Sequence, residues 1–160
     1  MKGIEKTVQM IIDKLKLSLP AQLSATTIDT DGTVSLTNPY SYFISEQYAG
    51  YKVPAIYVVA QDSTENIAKP SNYINATDTV EIIIEAEGRN ENDLTRASWR
   101  YVRSVYQTLN LEELIDTSFK IKIKVVGSTY SPLLVNVTDE RRQFRKEGRL
   151  TLKVERYEPL

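Results

Sequence analysis

The 160-residue sequence contains neither cysteine nor histidine. Without cysteine there is no disulfide framework, no thiolate metal site and no cysteine nucleophile. Without histidine the side chain that most often moves protons near neutral pH is missing, and imidazole sites for zinc, copper and non-haem iron go with it. An excess of one charge is also missing. Twenty Lys and Arg against 21 Asp and Glu leave a formal net charge of −1, so no bulk attraction to nucleic acid is expected. No window approaches the roughly 20 apolar residues of a membrane span. Lys2, Glu5, Lys6, Asp13, Lys14 and Lys16 interrupt the N-terminal apolar pattern, unlike a signal peptide. The six glycines form no phosphate-cradling loop, and no Ser-x-x-Lys pair occurs. These absences lead to the expectation of a soluble, cytosol-made protein that is not an enzyme, with no catalytic, cofactor-binding or metal-ligating residue.

What is present is enough apolar residue, 41%, for one core, so residues 1–160 are expected to form a single domain. Ile4, Val8, Ile11, Ile12, Leu15 and Leu19 recur at helical spacing and predict an amphipathic helix over 3–18, ended by Pro20. Asp31-Gly32, between Thr27-Ile28 and Val34–Leu36, predicts a tight turn, and a short strand is expected around Tyr42–Glu46. Val53–Ala60 is apolar on both faces, as in a strand covered on both sides, with Pro54 at its beginning. The polar stretch Gln61–Ala76 reads as a long loop.

The second half is more regular. Val80, Ile82, Ile84 and Ala86 alternate with Glu81, Glu85 and Glu87, and Gly88 stops that strand. Asn90, with Asp93 three positions on, caps a helix over 91–109. Leu94, Tyr101, Val102, Val105, Tyr106 and Leu109 form its apolar arc, while Arg96, Arg100 and Arg103 share the other side. Phe119, Ile121, Ile123 and Val125 alternate with Lys120, Lys122 and Lys124; Leu150, Leu152 and Val154 alternate with Thr151, Lys153 and Glu155. Placing the acidic strand beside the basic one would pair Glu81, Glu85 and Glu87 with Lys120, Lys122 and Lys124. The expected class is α+β, a mainly antiparallel sheet with two principal helices packed against it.

Three constellations invite a functional reading. Ile28-Asp29-Thr30-Asp31-Gly32-Thr33 looks like the nucleophile motif of haloacid-dehalogenase-type phosphatases. The segment before it is too polar for the buried strand that chemistry needs, and no later Asp-Asp pair follows a hydrophobic strand, so a turn is the reading. The run from Asp139 to Arg149 is dense in charge; Arg141, Arg142, Phe144 and Arg145 make it a candidate protein or nucleic-acid contact or, equally, a charged hairpin arm. Ten tyrosines include Tyr48 and Tyr51 beside Gly50, candidates for an interface, whereas Tyr57, Tyr101 and Tyr106 are expected in the core or on the sheet.

The order of these segments resembles that of the tail terminator, or tail completion, proteins of long-tailed bacteriophages. The resemblance is carried by a helix ending in Leu17-Ser18-Leu19-Pro20, then Val53–Val59 and Thr79–Ile84. Asn92-Asp93-Leu94-Thr95-Arg96 follows, opening a helix with Trp99-Arg100-Tyr101-Val102-Arg103, and Gly148–Val154 closes the pattern. It implies a subunit of a ring, usually a hexamer, that caps the tail-tube protein and offers a surface to the head connector or neck, with genomic DNA passing through the opening. It implies a place in the virion at the head–tail joint, in the host cytoplasm during assembly, and no membrane. No catalytic residue carries over. The 61–76 loop and the 139–149 arm depart from the pattern and would equally suit a sister neck or head-completion protein; a small nucleic-acid-binding module is the competing class.

Overall fold

Apolar residues at every second position decide which face of each strand is buried, and apolar residues at helical spacing supply the cover. The computed structural model describes residues 2–29, 34, 36–45, 52–66, 72–138 and 141–160. The elements are helix α1 (Gly3–Asp29), strands β1 (Ser41–Phe43), β2 (Ala55–Asn66) and β3 (Tyr73–Gly88), helix α2 (Glu91–Leu109), then β4 (Glu113–Asp116), β5 (Phe119–Tyr130), β6 (Leu134–Thr138) and β7 (Arg141–Pro159). Among the described residues the strands form one sheet in the order β1-β2-β3-β7-β5-β4, with β6 continuing beside β7. The β1–β2 pair is parallel and the rest are antiparallel. This is the expected α+β fold.

The buried face carries Ile56 and Val58 of β2, Val80, Ile82, Ile84 and Ala86 of β3, Leu150, Leu152 and Val154 of β7, and Phe119, Ile121 and Ile123 of β5. Ile11, Leu15, Leu19 and Leu23 of α1 and Leu94, Val102, Val105 and Leu109 of α2 close over it. Each such side chain contributes about 1.5–3 kcal/mol on burial, so this face sets the architecture. The α2 start follows the sequence: Asn90 Oδ1 accepts from the Asp93 N–H at 3.0 Å. Ala55, Tyr57 and Ile83 form a smaller cluster with Phe43, Val53 and Val59 on the opposite face, so β2 begins covered on both sides.

Four expectations are corrected. Helix α1 does not end at Pro20 but contains it, because Leu19 and Leu23, fully buried on either side, continue the apolar stripe and hold both halves on the sheet. Thr27 and Ile28 therefore lie in that helix and not in a hairpin; Asp31 and Gly32 are outside the described residues. The stretch 61–76 is mostly strand: β2 continues to Asn66 and β3 starts at Tyr73, paired from Asp62–Thr79 to Asn66–Asn75 after an irregularity near Gln61. Its polarity reflects exposure of β2 beyond Val59, and backbone hydrogen bonds hold the ladder without an apolar signature.

The acidic and basic strands are not neighbours. β7 runs between them, and its own arginines take the acidic partners: Arg149 reaches Glu81 at 2.9 Å, and Arg145 pairs with Glu87. Lys120 and Lys122 instead meet Glu113 of β4, at 2.6 and 3.9 Å. The 19-residue β7 is the longest strand, and it pairs with β3 along one edge and with β5 along the other.

Candidate interaction surfaces

Besides the outer edges of β1, β4 and β6, a stretch of edge on each of the longer strands β5 and β2 has no strand partner among the described residues. On one side, β4 and residues 111–112 cover β5 only as far as Ile123, where Ile123 N–H donates to Glu112 O at 2.9 Å. Asn110 Oδ1 caps the Val125 N–H at 3.1 Å, and from Val126 to Tyr130 every residue is exposed. On the other side, β1 covers β2 only from Ala55 to Tyr57, and Ala60 to Asn66 are exposed.

Each free edge borders a groove on the helix side of the sheet. The α2–β5 groove, about 440 Å³, is lined by Trp99, Val102, Arg103 and Tyr106 of α2 and by Val126, Ser128 and Tyr130 of β5. Trp99, Arg103 and Tyr106 stand at i, i+4 and i+7, so one helix face presents them together. Trp99 is 53% exposed and Val126 48%, large apolar surface open to water. Burial raises the Tyr130 phenol above its ordinary pKa, with Ser128 bonding to it and opposing the rise. The α1–β2 groove, about 240 Å³, is lined by Ile4, Glu5, Val8 and Gln9 of α1, by Ala60 and by Ile44, which is 66% exposed.

The uncovered sheet face is sorted by charge. Arg149 bridges Glu81 and Glu147 at 2.9 and 3.0 Å, while Arg145 joins Glu85 and Glu87, and Tyr57 donates its hydroxyl hydrogen to Glu85 at 2.8 Å. A shallow concavity of about 520 Å³ further along holds Lys122, Lys124 and Lys153 beside Glu113 and Glu155. Lys124 and Lys153 are direct cross-strand neighbours of like charge.

A separate ionic cluster is buried on the helix side, beneath the start of α1. Arg156 is 3% exposed, Asp78 is fully buried and Glu158 nearly so. Arg156 donates from Nε to Asp78 Oδ2 at 2.9 Å and from Nη1 to Glu158. Ser63 and Thr7 donate to the Asp78 oxygens at 2.6 and 3.1 Å, and the Gly3 N–H donates to Glu158 at 3.1 Å. Burial works against the Arg156 charge, but Asp78 and Glu158 outweigh it and hold the guanidinium above its ordinary range. The donors occupy the carboxylates, so the cluster ties α1, β2, β3 and β7 together and leaves no free base poised for proton transfer.

The residues singled out from the sequence fall in different places. Arg141 and Arg142 are backbone members of β7, paired with Thr138 and Val137 of β6; their side chains lie outside the described part, as do Tyr48 and Tyr51. Phe144 is half-buried against the main core, and Arg145 is engaged with Glu85 and Glu87. Residues 141–145 pair with β6, while Gly148 and Arg149 already pair with β5, and residues 139 and 140 lie outside the described part. Tyr57 and Tyr101 are buried as expected, but Tyr106 is 43% exposed at the groove and not in the core. Arg96 and Arg103 are exposed, while Arg100 is half-buried and donates to Val34 O at 3.4 Å.

The grooves and the buried cluster were not singled out from sequence, although signals existed. Val125-Val126-Gly127 breaks the Lys–apolar alternation where the β5 register shifts. Extending the period of two from Val80 to Asp78, and from Val154 to Arg156 and Glu158, puts three charges on the apolar face. Among the described residues no cluster of three or more acidic side chains could hold a metal ion, and no helix is long and apolar enough to cross a membrane.

No family model matches the chain, and no curated protein matches it. Among solved structures, the chain is similar to one from a structure described as the virion of a native gene transfer agent particle. The match covers 88% of this chain and 94% of that one, at 14% identity and a TM-score of 0.35. A superposition at that level assigns neither a role nor partners.

Proposed function

We propose that this chain is a structural subunit of a bacteriophage tail, a tail terminator (tail completion) protein that assembles into a ring, and that it catalyses no reaction. The observation that carries the reading is the pair of unlike exposed strips on opposite sides of one sheet, each a partly open strand edge bordered by an apolar groove. A closed ring needs two different patches on every subunit, because its contacts are heterologous. The order of elements supports the same reading, since α1, β2, β3, α2 and the closing β7 occupy the segments on which the family resemblance rests.

In this reading one ring face docks on the last ring of tail-tube protein and stops its growth. The other face receives the head connector or neck, and DNA passes through the opening without sequence-specific contact. The virion is then the protein's destination and the host cytoplasm the place of assembly. Electron microscopy of the purified protein, alone and mixed with polymerising tail-tube protein of the same virus, tests it. Annular particles and tubes arrested at one end are expected. Particles that never close, with tubes growing unchecked, would refute the reading; salt-sensitive binding of DNA by the isolated chain would favour a nucleic-acid module instead.

A further inference from the structure

The two free edges are alike in apolar side-chain character and opposite in charge. Beyond the Val125 N–H held by Asn110, the β5 edge is open over the five residues Val126–Tyr130 and the β2 edge over the seven residues Ala60–Asn66, room for a ladder of about 16 Å. Exposed backbone of this kind is a template for another strand unless it is blocked. β4 covers the first part of β5 and β1 the first part of β2, and the stretches beyond them stand open on the two longer strands.

Charge sorts the same way on both faces. On the helix side the β5 edge offers Arg103 in its groove, while the β2 edge offers Glu5 in its groove and Glu65, whose cross-strand neighbour Ala76 is buried. On the uncovered side the β5 edge offers Lys124 and the β2 edge offers Asp62, both exposed. The apolar partners also fall on one side: Trp99, Tyr106, Val126 and Tyr130 along one groove, Ile4, Val8, Ile44 and Ala60 along the other.

We propose that neighbouring copies of this chain join sheet to sheet, the outer edge of β5 in one copy pairing with the outer edge of β2 in the next. This rests on the ring reading and names the contact that closes it. The intervening pairings make β2 and β5 antiparallel within one copy, so the new ladder is antiparallel as well. Ile56 is level with Tyr130 across the sheet and Asn66 with Lys120, so the two free stretches sit at opposite ends. Joining them offsets each copy along the strand direction, the stagger that a closed ring of tilted strands requires. Arg103 then comes to the side of Glu5 and Glu65, the basic edge of β5 meets the acidic edge of β2, and the Trp99 groove runs on into the Ile4–Val8 groove.

Two charge-swapped variants test the contact by sedimentation and microscopy, with circular dichroism confirming that each is folded. Asp62→Lys with Glu65→Lys makes both edges basic; Arg103→Glu with Lys124→Glu makes both acidic. Each alone is expected to lower the ring fraction at least about tenfold, and an equimolar mixture is expected to restore rings of alternating copies. Because the chain has no cysteine, Thr64→Cys with Thr129→Cys in one chain allows a second readout. A bismaleimide should give a ladder of covalent oligomers from that chain, and monomers from either single variant. Rings that form normally in both charge variants, a mixture that stays dissociated, or cross-linked dimers of a single-cysteine variant would overturn this contact while leaving the ring reading standing. A wild-type chain that stays monomeric alone and on tail tubes would overturn both.

Discussion

Gly148 of β7 and Val102 of α2 approach so closely that a Cβ at Gly148 would overlap Val102 Cγ2, and would lie 3.4 Å from Ser98 Oγ. The closing strand carries glycine where the helix crosses it. Gly148→Ala is expected to destabilise the protein by about 1–3 kcal/mol through overpacking. Adding Val102→Ala should recover part of that loss, so denaturant unfolding of the double variant should show less destabilisation than the sum of the singles.

Ser98 Oγ, at the same crossing, is buried without a hydrogen-bond partner. An unmet buried hydroxyl is unfavourable, and alanine is the better helix former. Ser98→Ala should therefore raise stability by about 1 kcal/mol; a loss in chemical denaturation would show that the hydroxyl is satisfied in solution.

Arg156 faces Asp78 and Glu158 in a site closed to water. Arg156→Met would leave two carboxylates without their cation, and a loss of about 3–5 kcal/mol is expected. Because Gly3 and Thr7 bond to the same carboxylates, hydrogen exchange at the start of α1 should accelerate more than exchange in α2. Equal acceleration in both helices would argue against the anchoring role.

The Tyr101 hydroxyl donates to Thr37 O at 2.8 Å and accepts from Thr37 N–H at 2.9 Å, holding the segment after α1 against α2. Burial pushes its pKa up to about 12 from 10.0; the Thr37 backbone bond opposes the shift and Tyr40 adds to it. Above pH 10 the unfolded chain releases this proton while the folded chain keeps it, so the unfolded state binds fewer protons and stability falls with rising pH. The fall should run from about pH 10 to about pH 12. Tyr101→Phe is expected to lower stability by about 1 kcal/mol at neutral pH and to flatten that alkaline decline, read as the unfolding midpoint at successive pH values. Tyr42, also raised to about 12 by burial, leaves a residual slope.

Pro20 lies inside α1 with no N–H to complete the helical ladder. Its side chain is half-buried between fully buried Leu19 and Leu23, which keep their places in the core. Pro20→Ala should stabilise the fold by about 1–3 kcal/mol, measured by thermal and urea unfolding. A loss would mean that the bend set by the ring is needed for α1 to follow the sheet.

Sequence made the architecture legible wherever periodicity and local chemistry agreed. Asn90 and Gly88 marked α2 and the end of β3 because capping and strand stopping are local events. It misled where tertiary packing overrode a local rule. Pro20 read as a helix end, but Leu23 outweighs it; residues 61–66 read as loop because a strand exposed on both faces has no alternation to display. The pairing of Glu81 with Lys122 was plausible by charge and wrong by topology, since charge chooses among neighbours but does not decide which strands become neighbours. The grooves were hidden for a related reason: Trp99 and Val126 are 27 residues apart, and only the crossing of α2 over β5 brings them together.

The position of β7 has a consequence for how the chain is made. It is the last element in the sequence yet stands between β3 and β5, so both of those strands await their inner partner until it is available. A nascent chain can complete the local hairpin of β2 and β3 early, but the Val80–Leu152 and Ile123–Val154 layers form only once translation has passed residue 154. The innermost ladders of the sheet are therefore the last to close, long after the β2–β3 hairpin has become possible.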